Sequence, residues 1–302
     1  MAKILVVGSI NMDLVVRVPH SPQPGETVLG GDFETFPGGK GANQAVAASR
    51  MGGEVTMVGR VGHDDFGDTL IQGLVADKVK TTHVIKDSDA PTGIAMIAVA
   101  ADGENLIVVA SGANLKVSAE DVNNARSLMR ETDILLMQLE VPLETVGEAV
   151  DLAAAYDVPV VLNPAPAQSL PRTILANVDV LTPNQHELAA LTEEADIDKG
   201  IQKLREWGVK NLVITLGPNG ARVVTDEIDQ RLPAHEITAV DTTAAGDAFN
   251  GALAVALAEG KPILEAVRYG MAAGAMAATK RGAQPSLPAR DAVESLMKSQ
   301  SG

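Results

Sequence analysis

The stretch ILLMQLEVPLETVGEAVDLAAAYDVPVVL, residues 134–162, decides the fold. Ile134–Gln138 is a short apolar run, Leu143–Tyr156 follows a helical pattern, and Val158–Leu162 is a second short apolar run. That order is one strand–helix–strand unit, and the crossover makes its two strands parallel. The pattern continues on both sides. Upstream, Ile4–Val7 reads as a strand, Gly41–Met51 as a helix of small residues, Val55–Val58 as a strand and Gly67–Lys78 as a helix. Downstream, Val178–Leu181 and Leu212–Leu216 read as strands, with a helix starting at His186–Thr192 and another over Ile197–Trp207. Such alternation predicts an α/β fold: a central, mostly parallel sheet with helices on both faces.

Two excursions break the rhythm. Leu14–Val18 and Thr27–Phe33 look like strands with no helix between them. So do Thr92–Ala100 and Leu106–Ala110, joined by the hairpin-turn composition Asp102-Gly103-Glu104-Asn105. Residues 14–37 and 91–111 are therefore expected to form a small β-sheet lid. The α/β catalytic domain would comprise residues 1–13, 38–90 and 112–302.

Composition narrows the function. With no cysteine, disulfides and thiolate chemistry are excluded. A net charge of −15 argues against nucleic acid, which needs a basic footprint. An anionic substrate would have to be held by local devices such as helix N-termini and glycine loops. No apolar run approaches the roughly 20 residues of a membrane span. Nor does Met1-Ala2-Lys3 before Ile4–Val7 resemble a secretion signal, so a cytoplasmic enzyme is the expectation.

Four segments could carry chemistry. In His235–Gly260, a strand over Glu236–Val240 is expected to turn through small residues into a helix beginning at Gly246-Asp247. Its free backbone N–H groups would make an anion hole, and Asp247 could take a proton from a hydroxyl held beside it. The same Asp could equally serve only to favour the helix dipole. In Pro37-Gly38-Gly39-Lys40-Gly41-Ala42-Asn43, the glycines allow close approach to a ligand, and Asn43 suits a polyol. This is not a Walker A loop, and a plain connector is the alternative. Asn184 with Glu187 is either a capping box or, through water, a Mg²⁺ environment. Leu212–Gly217 with Pro218-Asn219-Gly220 reads by itself as a hairpin. The five histidines show no metal-ligand spacing.

Together, Gly38-Gly39-Lys40-Gly41-Ala42-Asn43-Gln44-Ala45 and Asp241-Thr242-Thr243-Ala244-Ala245-Gly246-Asp247-Ala248-Phe249-Asn250-Gly251-Ala252 closely resemble the two signatures of the ribokinase family of carbohydrate kinases. Ser9–Asp13, Met137–Glu140, Asn163–Pro166 and Gly282–Ser286 extend the resemblance over essentially the whole chain. It implies ATP-dependent phosphorylation of D-ribose at O5 to ribose 5-phosphate, with Asp247 as general base. Sugar hydroxyls would meet Asn11, Asp13, Gly39, Lys40, Asn43 and Glu140; deoxyribose kinases tend to carry Met in the segment of Asn11. ATP would lie along Thr215, Leu216, Gly217 and Gly220, with Asn184 near its phosphates, Gly246 in the anion hole and Glu187 acting on Mg²⁺ through water. A K⁺ activator would sit among Asp241, Thr243, Ala277, Lys280, Gly282 and Ser286. Met271 falls where relatives often place a polar contact to adenine. The lid would be a homodimer surface.

Fructose, 2-deoxyribose or ketodeoxy-acid kinases stay open as alternatives, as does a non-catalytic sugar-binding regulator, against which the intact Asp247 argues. Few aromatic rings count against a nucleoside substrate. A nicotinamide dehydrogenase is disfavoured because Gly8–Asp13 lacks the Gly-x-Gly-x-x-Gly fingerprint.

Overall fold

A computed structural model describes residues 1–102 and 104–300, so Gly103 of the expected hairpin turn lies outside the described residues. Strand β1 (Lys3–Val7) is followed by β2 (Asn11–Val18), β3 (Phe33–Gly38), α1 (Lys40–Arg50), β4 (Glu54–Gly62) and α2 (Asp65–Ala76). Next come β5 (Lys80–Asp87), β6 (Gly93–Ala100), β7 (Asn105–Ala110), α3 (Ala119–Asn124), β8 (Ile134–Met137) and α4 (Leu143–Ala155). Then β9 (Val160–Leu162), α5 (Arg172–Leu175), β10 (Val180–Leu181), α6 (Gln185–Thr192), α7 (Ile197–Glu206) and β11 (Asn211–Thr215). The chain continues through β12 (Ala221–Val224), β13 (Asp229–Leu232), α8 (Ala245–Ala258), α9 (Ile263–Ala278) and α10 (Arg290–Ser299).

Among the described residues nine strands form the large sheet, in the order β13-β12-β11-β10-β9-β8-β1-β4-β5. Pairs from β11 to β5 are parallel, while β12 and β13 join antiparallel at one edge. Burial on both faces explains the unbroken apolar strands. Along β1, Ile4 and Val6 enter the core under α1, α8 and α9, whereas Leu5 and Val7 enter the opposite core under α4, α6 and α7. No helix among the described residues is long and apolar enough to cross a membrane.

The second sheet runs β3-β2-β6-β7 and is the expected lid sheet. Two expected strands are corrected. Thr27–Asp32 has no regular structure; the lid strand is Phe33–Gly38, positioned by antiparallel pairing with β2 from Val16↔Phe33 to Asn11↔Gly38. Glu236–Val240 is not a strand either: its residues are exposed and have no sheet neighbour, so β-propensity has nothing to pair with.

Helices α1 and α8 lie close enough to share a polar face near their N-termini. A Cβ on Gly251 of α8 would stand 2.6 Å from the Ala47 Cβ and 2.8 Å from Ala48 N and the Gln44 carbonyl of α1. Gly251→Ala is therefore expected to push the helices apart and to cost about 1–3 kcal/mol, the usual range for overpacking. Chemical denaturation checks the stability loss, and kcat should fall with it because α1 carries Asn43 and Gln44. Unchanged stability would refute the close approach.

Candidate active site

Strand ends, the lid's root and three helix N-termini meet at the carboxyl edge of the large sheet, where open α/β sheets bind ligands. At the start of α8, Ala244 turns the chain with φ 58°, a left-handed conformation that a non-glycine residue holds only at some cost. The turn leaves the N–H groups of Gly246 and Asp247 without an acceptor among the described residues. Nothing lies within 4 Å of where a Gly246 Cβ would project, so the space in front of that peptide is open. These are the donors and the room an anion needs.

Asp247 itself is buried. Its Oδ2 accepts from Asn43 Nδ2 at 2.9 Å and its Oδ1 from Gln44 Nε2 at 3.0 Å, so α1 fixes both carboxylate oxygens. Gln44 is held in turn: its Nε2 reaches Asn163 Oδ1 at 3.1 Å, and its Oε1 accepts from Gln138 Nε2 at 2.6 Å. Burial pushes the Asp247 pKa above the ordinary carboxylate range, against the Lys40 charge and the amide donors of Gln44 and Asn43.

The glycine loop enters α1 through Gly39, whose φ of 87° and approach to Asn11 N (2.7 Å from a notional Cβ) leave no place for a side chain. Glu140 Oε2 accepts from Lys40 N at 3.0 Å and from Ser9 Oγ at 2.5 Å, so it also caps α1. Lys40 lies within the field of four carboxylates: burial works to lower its pKa, but Asp247, Glu140, Glu187 and Asp13 together raise it. Asp13 is buried with no hydrogen-bond donor on its carboxylate among the described residues. Burial, with the charges of Glu140 and Asp247, lifts its pKa to about 7. Asn43 Oδ1 is likewise buried without a partner. Asn11 Oδ1 accepts from Asn114 Nδ2 at 2.6 Å, and Asn114 also bonds the backbone of Ile10.

Asn184 and Glu187 form a complete capping box on α6, each side chain meeting the other's N–H at 2.8 Å. Glu187 nevertheless faces the site. Burial raises its pKa, opposed by the Asn184 N–H and the Lys40 charge. Thr215 N donates to the Pro183 carbonyl at 3.0 Å, which brings Thr215, Leu216 and Gly217 beside Asn184. Thr182 Oγ1 bonds Asn250 Oδ1 at 2.6 Å, tying that corner to α8. Gly220, with φ 88°, abuts Leu232–Ala234. Beyond it is a cavity of about 240 Å³ lined by Leu232, Pro233, His235, Arg268, Met271 and Met297.

Asp241 joins the two halves of the expected cation site. Its Oδ1 accepts from Thr243 N (2.9 Å) and Oγ1 (2.6 Å), and its Oδ2 from Gly282 N (3.0 Å). Burial works to raise its pKa, but the Thr243 hydroxyl and the N–H groups of Gly282 and Thr243 outweigh it and lower the value. Ala277 lies in the last turn of α9, its carbonyl accepting from Lys280 N at 3.1 Å, and Ser286 is fully buried. No cluster of three acidic or histidine side chains suited to a metal occurs among the described residues.

Contacts thus join Asp247 to Asn43, Glu140 to Lys40, Asn184 to Thr215, and Asp241 to Thr243 and Gly282. Gln44, Gln138, Asn163 and Asn114, which hold them, were not expected in the site. The available signal was an amide interrupting an apolar run, as Gln138 does after Ile134–Met137.

A family model described as pfkB family carbohydrate kinase matches residues 1–290. A ribokinase of Bacillus subtilis is 42% identical over 297 residues, covering 98% of this chain and 100% of the relative. The crystal structure of a Thermotoga maritima ribokinase superposes with a TM-score of 0.90 at 42% identity, covering 99% of this chain and 100% of that one. A structure of Arabidopsis thaliana ribokinase complexed with ribose and ATP gives a TM-score of 0.89 at 33% identity, with 99% of each chain covered.

Proposed function

Since the chain belongs to the pfkB family of carbohydrate kinases and is therefore a phosphotransferase, we propose that it transfers the γ-phosphoryl group of ATP to O5 of D-ribose. The observation that carries this reading is the pairing, at one helix start, of a buried carboxylate with two unclaimed backbone N–H groups.

In this reading Asp247 accepts the proton of the sugar's 5-hydroxyl as that oxygen attacks phosphorus. Its raised pKa suits a base, since proton affinity nearer the working pH favours transfer. Asn43 and Gln44 hold the carboxylate in place, so little reorganisation accompanies the reaction. The Gly246 and Asp247 N–H groups meet charge developing on the transferred phosphoryl. Asn11, Asp13, Gly39, Lys40, Asn43 and Glu140 grip the ribose hydroxyls; the unpartnered oxygens of Asp13 and Asn43 are the acceptors such hydroxyls need. ATP lies along Thr215, Leu216, Gly217 and Gly220, with Asn184 toward its phosphates and Gly246 at the transferred group. The base packs beside Met271, whose thioether offers contact in place of a hydrogen bond.

Mg²⁺ would neutralise charge between the β- and γ-phosphates, with Glu187 holding its water shell. K⁺ would supply a fixed positive charge beside the anion hole. The donors fit it: Asp241, Thr243, Ala277, Lys280, Gly282 and Ser286 offer hard oxygens, and the C-terminal end of α9 favours a cation.

A homodimer through the lid is part of the proposal. Leu106 and Val108 on edge strand β7 share one face with Met96 and Phe33 and form an exposed apolar sheet surface of the kind that marks an interface, while Ile107 and Val109 are exposed on the other face of that edge.

A panel of sugars with ATP, Mg²⁺ and K⁺ tests the reading. Ribose should yield ribose 5-phosphate, fructose and 2-deoxyribose should be much poorer, and Na⁺ in place of K⁺ should lower the rate. Phosphorylation of another sugar but not ribose would overturn the substrate and leave the kinase. Indifference to K⁺ would remove the cation site.

A further inference from the structure

Arg50, the last residue of α1, is remote from the reacting oxygens in sequence and in its contacts, yet its guanidinium bonds two separate segments. Its Nε and Nη2 donate to Asp77 Oδ1 (2.7 Å) and Oδ2 (3.0 Å), at the end of α2. Its Nη1 donates to the carbonyls of Gln284 (2.7 Å) and Leu287 (2.9 Å). Those carbonyls bracket Ser286. The segment between them is a single turn whose other bonds are local: Ser286 N and Oγ both donate to the Ala283 carbonyl, at 3.1 and 2.8 Å. Gln284 and Ser286 are buried, so this turn cannot exchange its bonds for water cheaply.

We propose that Arg50 is a positioning residue for the cation loop, residues 282–287, an inference that rests on the K⁺ reading given above. By taking the Gln284 and Leu287 carbonyls, Arg50 fixes the peptide planes on either side of Ser286. Asp241 fixes the loop's other end through Gly282 N. Asp77 holds the guanidinium plane bidentately, so the fork presents its remaining edge to the loop in one orientation. Lys40, Asn43 and Gln44 lie within the first five residues of α1, so one rigid helix links the sugar grip and the base's supports to the cation loop.

Lysine at this position keeps the charge but cannot bond a carboxylate bidentately and two carbonyls at once. The test compares wild type with Arg50→Lys in the sugar- and nucleotide-free protein. It reads the KCl midpoint for thermal stabilisation, with NaCl as ionic-strength control, and backbone hydrogen exchange over residues 280–289. The expected result is a midpoint raised about tenfold, the scale of one lost charge-assisted hydrogen bond, with faster exchange confined to that segment. In a separate assay with ribose and ATP at saturating KCl, the KM for ribose should stay within about twofold, which a general loosening of the fold would not produce. An unchanged midpoint and unchanged loop exchange in Arg50→Lys overturn the proposal while leaving the K⁺ reading standing. A wild type indifferent to KCl overturns both. Should Arg50→Lys not fold, Asp77→Asn, which frees the guanidinium from its other side, carries the same two outcomes.

Discussion

Asp247→Asn is expected to lower kcat by about 10²–10⁴-fold while ribose still binds, the ordinary loss on removing a general base. The substitution preserves shape but removes the group that accepts the proton. It also sets an amide against two amides that both donate: Asn43 Nδ2 and Gln44 Nε2 now point at Asp247 oxygens. An Asn in that place can accept from one of them only, so the polar face between α1 and α8 is left with an unmatched donor. Stability should nonetheless change little, because the cost of burying a carboxylate charge, which raises the Asp247 pKa, is gone with it. Single-turnover phosphoryl transfer and calorimetric ribose titration separate the two effects. A variant turning over near the wild-type rate would sink the assignment of the base.

Asp13→Asn is expected to weaken ribose binding by about 10- to 200-fold, since hydrogen bonds to a charged partner contribute on the order of 1.5–3 kcal/mol. The same change should make the sugar-free protein less sensitive to pH. Asp13 titrates near 7 in the fold against 3.8 as the ordinary value, raised by burial and by Glu140 and Asp247. Between those values the folded protein keeps a proton that the unfolded chain has released. Its stability therefore falls as pH rises from about 4 to 7, by on the order of 4 kcal/mol in all. In the Asn variant that contribution vanishes, so it should be more stable than wild type at pH 8 and match it near pH 4. Urea denaturation at several pH values, without sugar, reads both curves. Parallel curves for the two proteins would mean that Asp13 is not the titrating group.

What could be read from the sequence follows from burial. Strands β1, β8 and β9 are covered on both faces, so their apolar runs are unbroken and mark the parallel sheet. Strand β3 gives no such signal. Glu34, Thr35 and Pro37 interrupt it, and its place is set by pairing with β2. Glu236–Val240 shows the reverse: β-branched residues with nothing beside them remain a loop. In the site, a glycine marks close approach at Gly39 and open space at Gly246, so both turns could be found. Gln44 and Asn114 could not, because what they do depends on partners far along the chain. Gln44 meets Asp247 across 203 positions, and Asn114 meets Asn11 across 103.

The register of the small sheet has a mechanical consequence. Asn11 faces Gly38 on one side and Gly93 on the other, so β2 and β6 start, and β3 ends, level with one another, at residues proposed above to hold the sugar. Were the sheet to rotate as a unit about that line, it would act as a lever with its fulcrum there. Asp13 is two residues from it, about 7 Å at the usual strand rise, and Val18 is seven residues away, about 23 Å. A swing of roughly 20° moves Val18 by about 8 Å but Asp13 by only about 2 Å. On the sugar-binding reading proposed above, such a rotation would carry the far end across the mouth while the residues that hold the ribose barely turn.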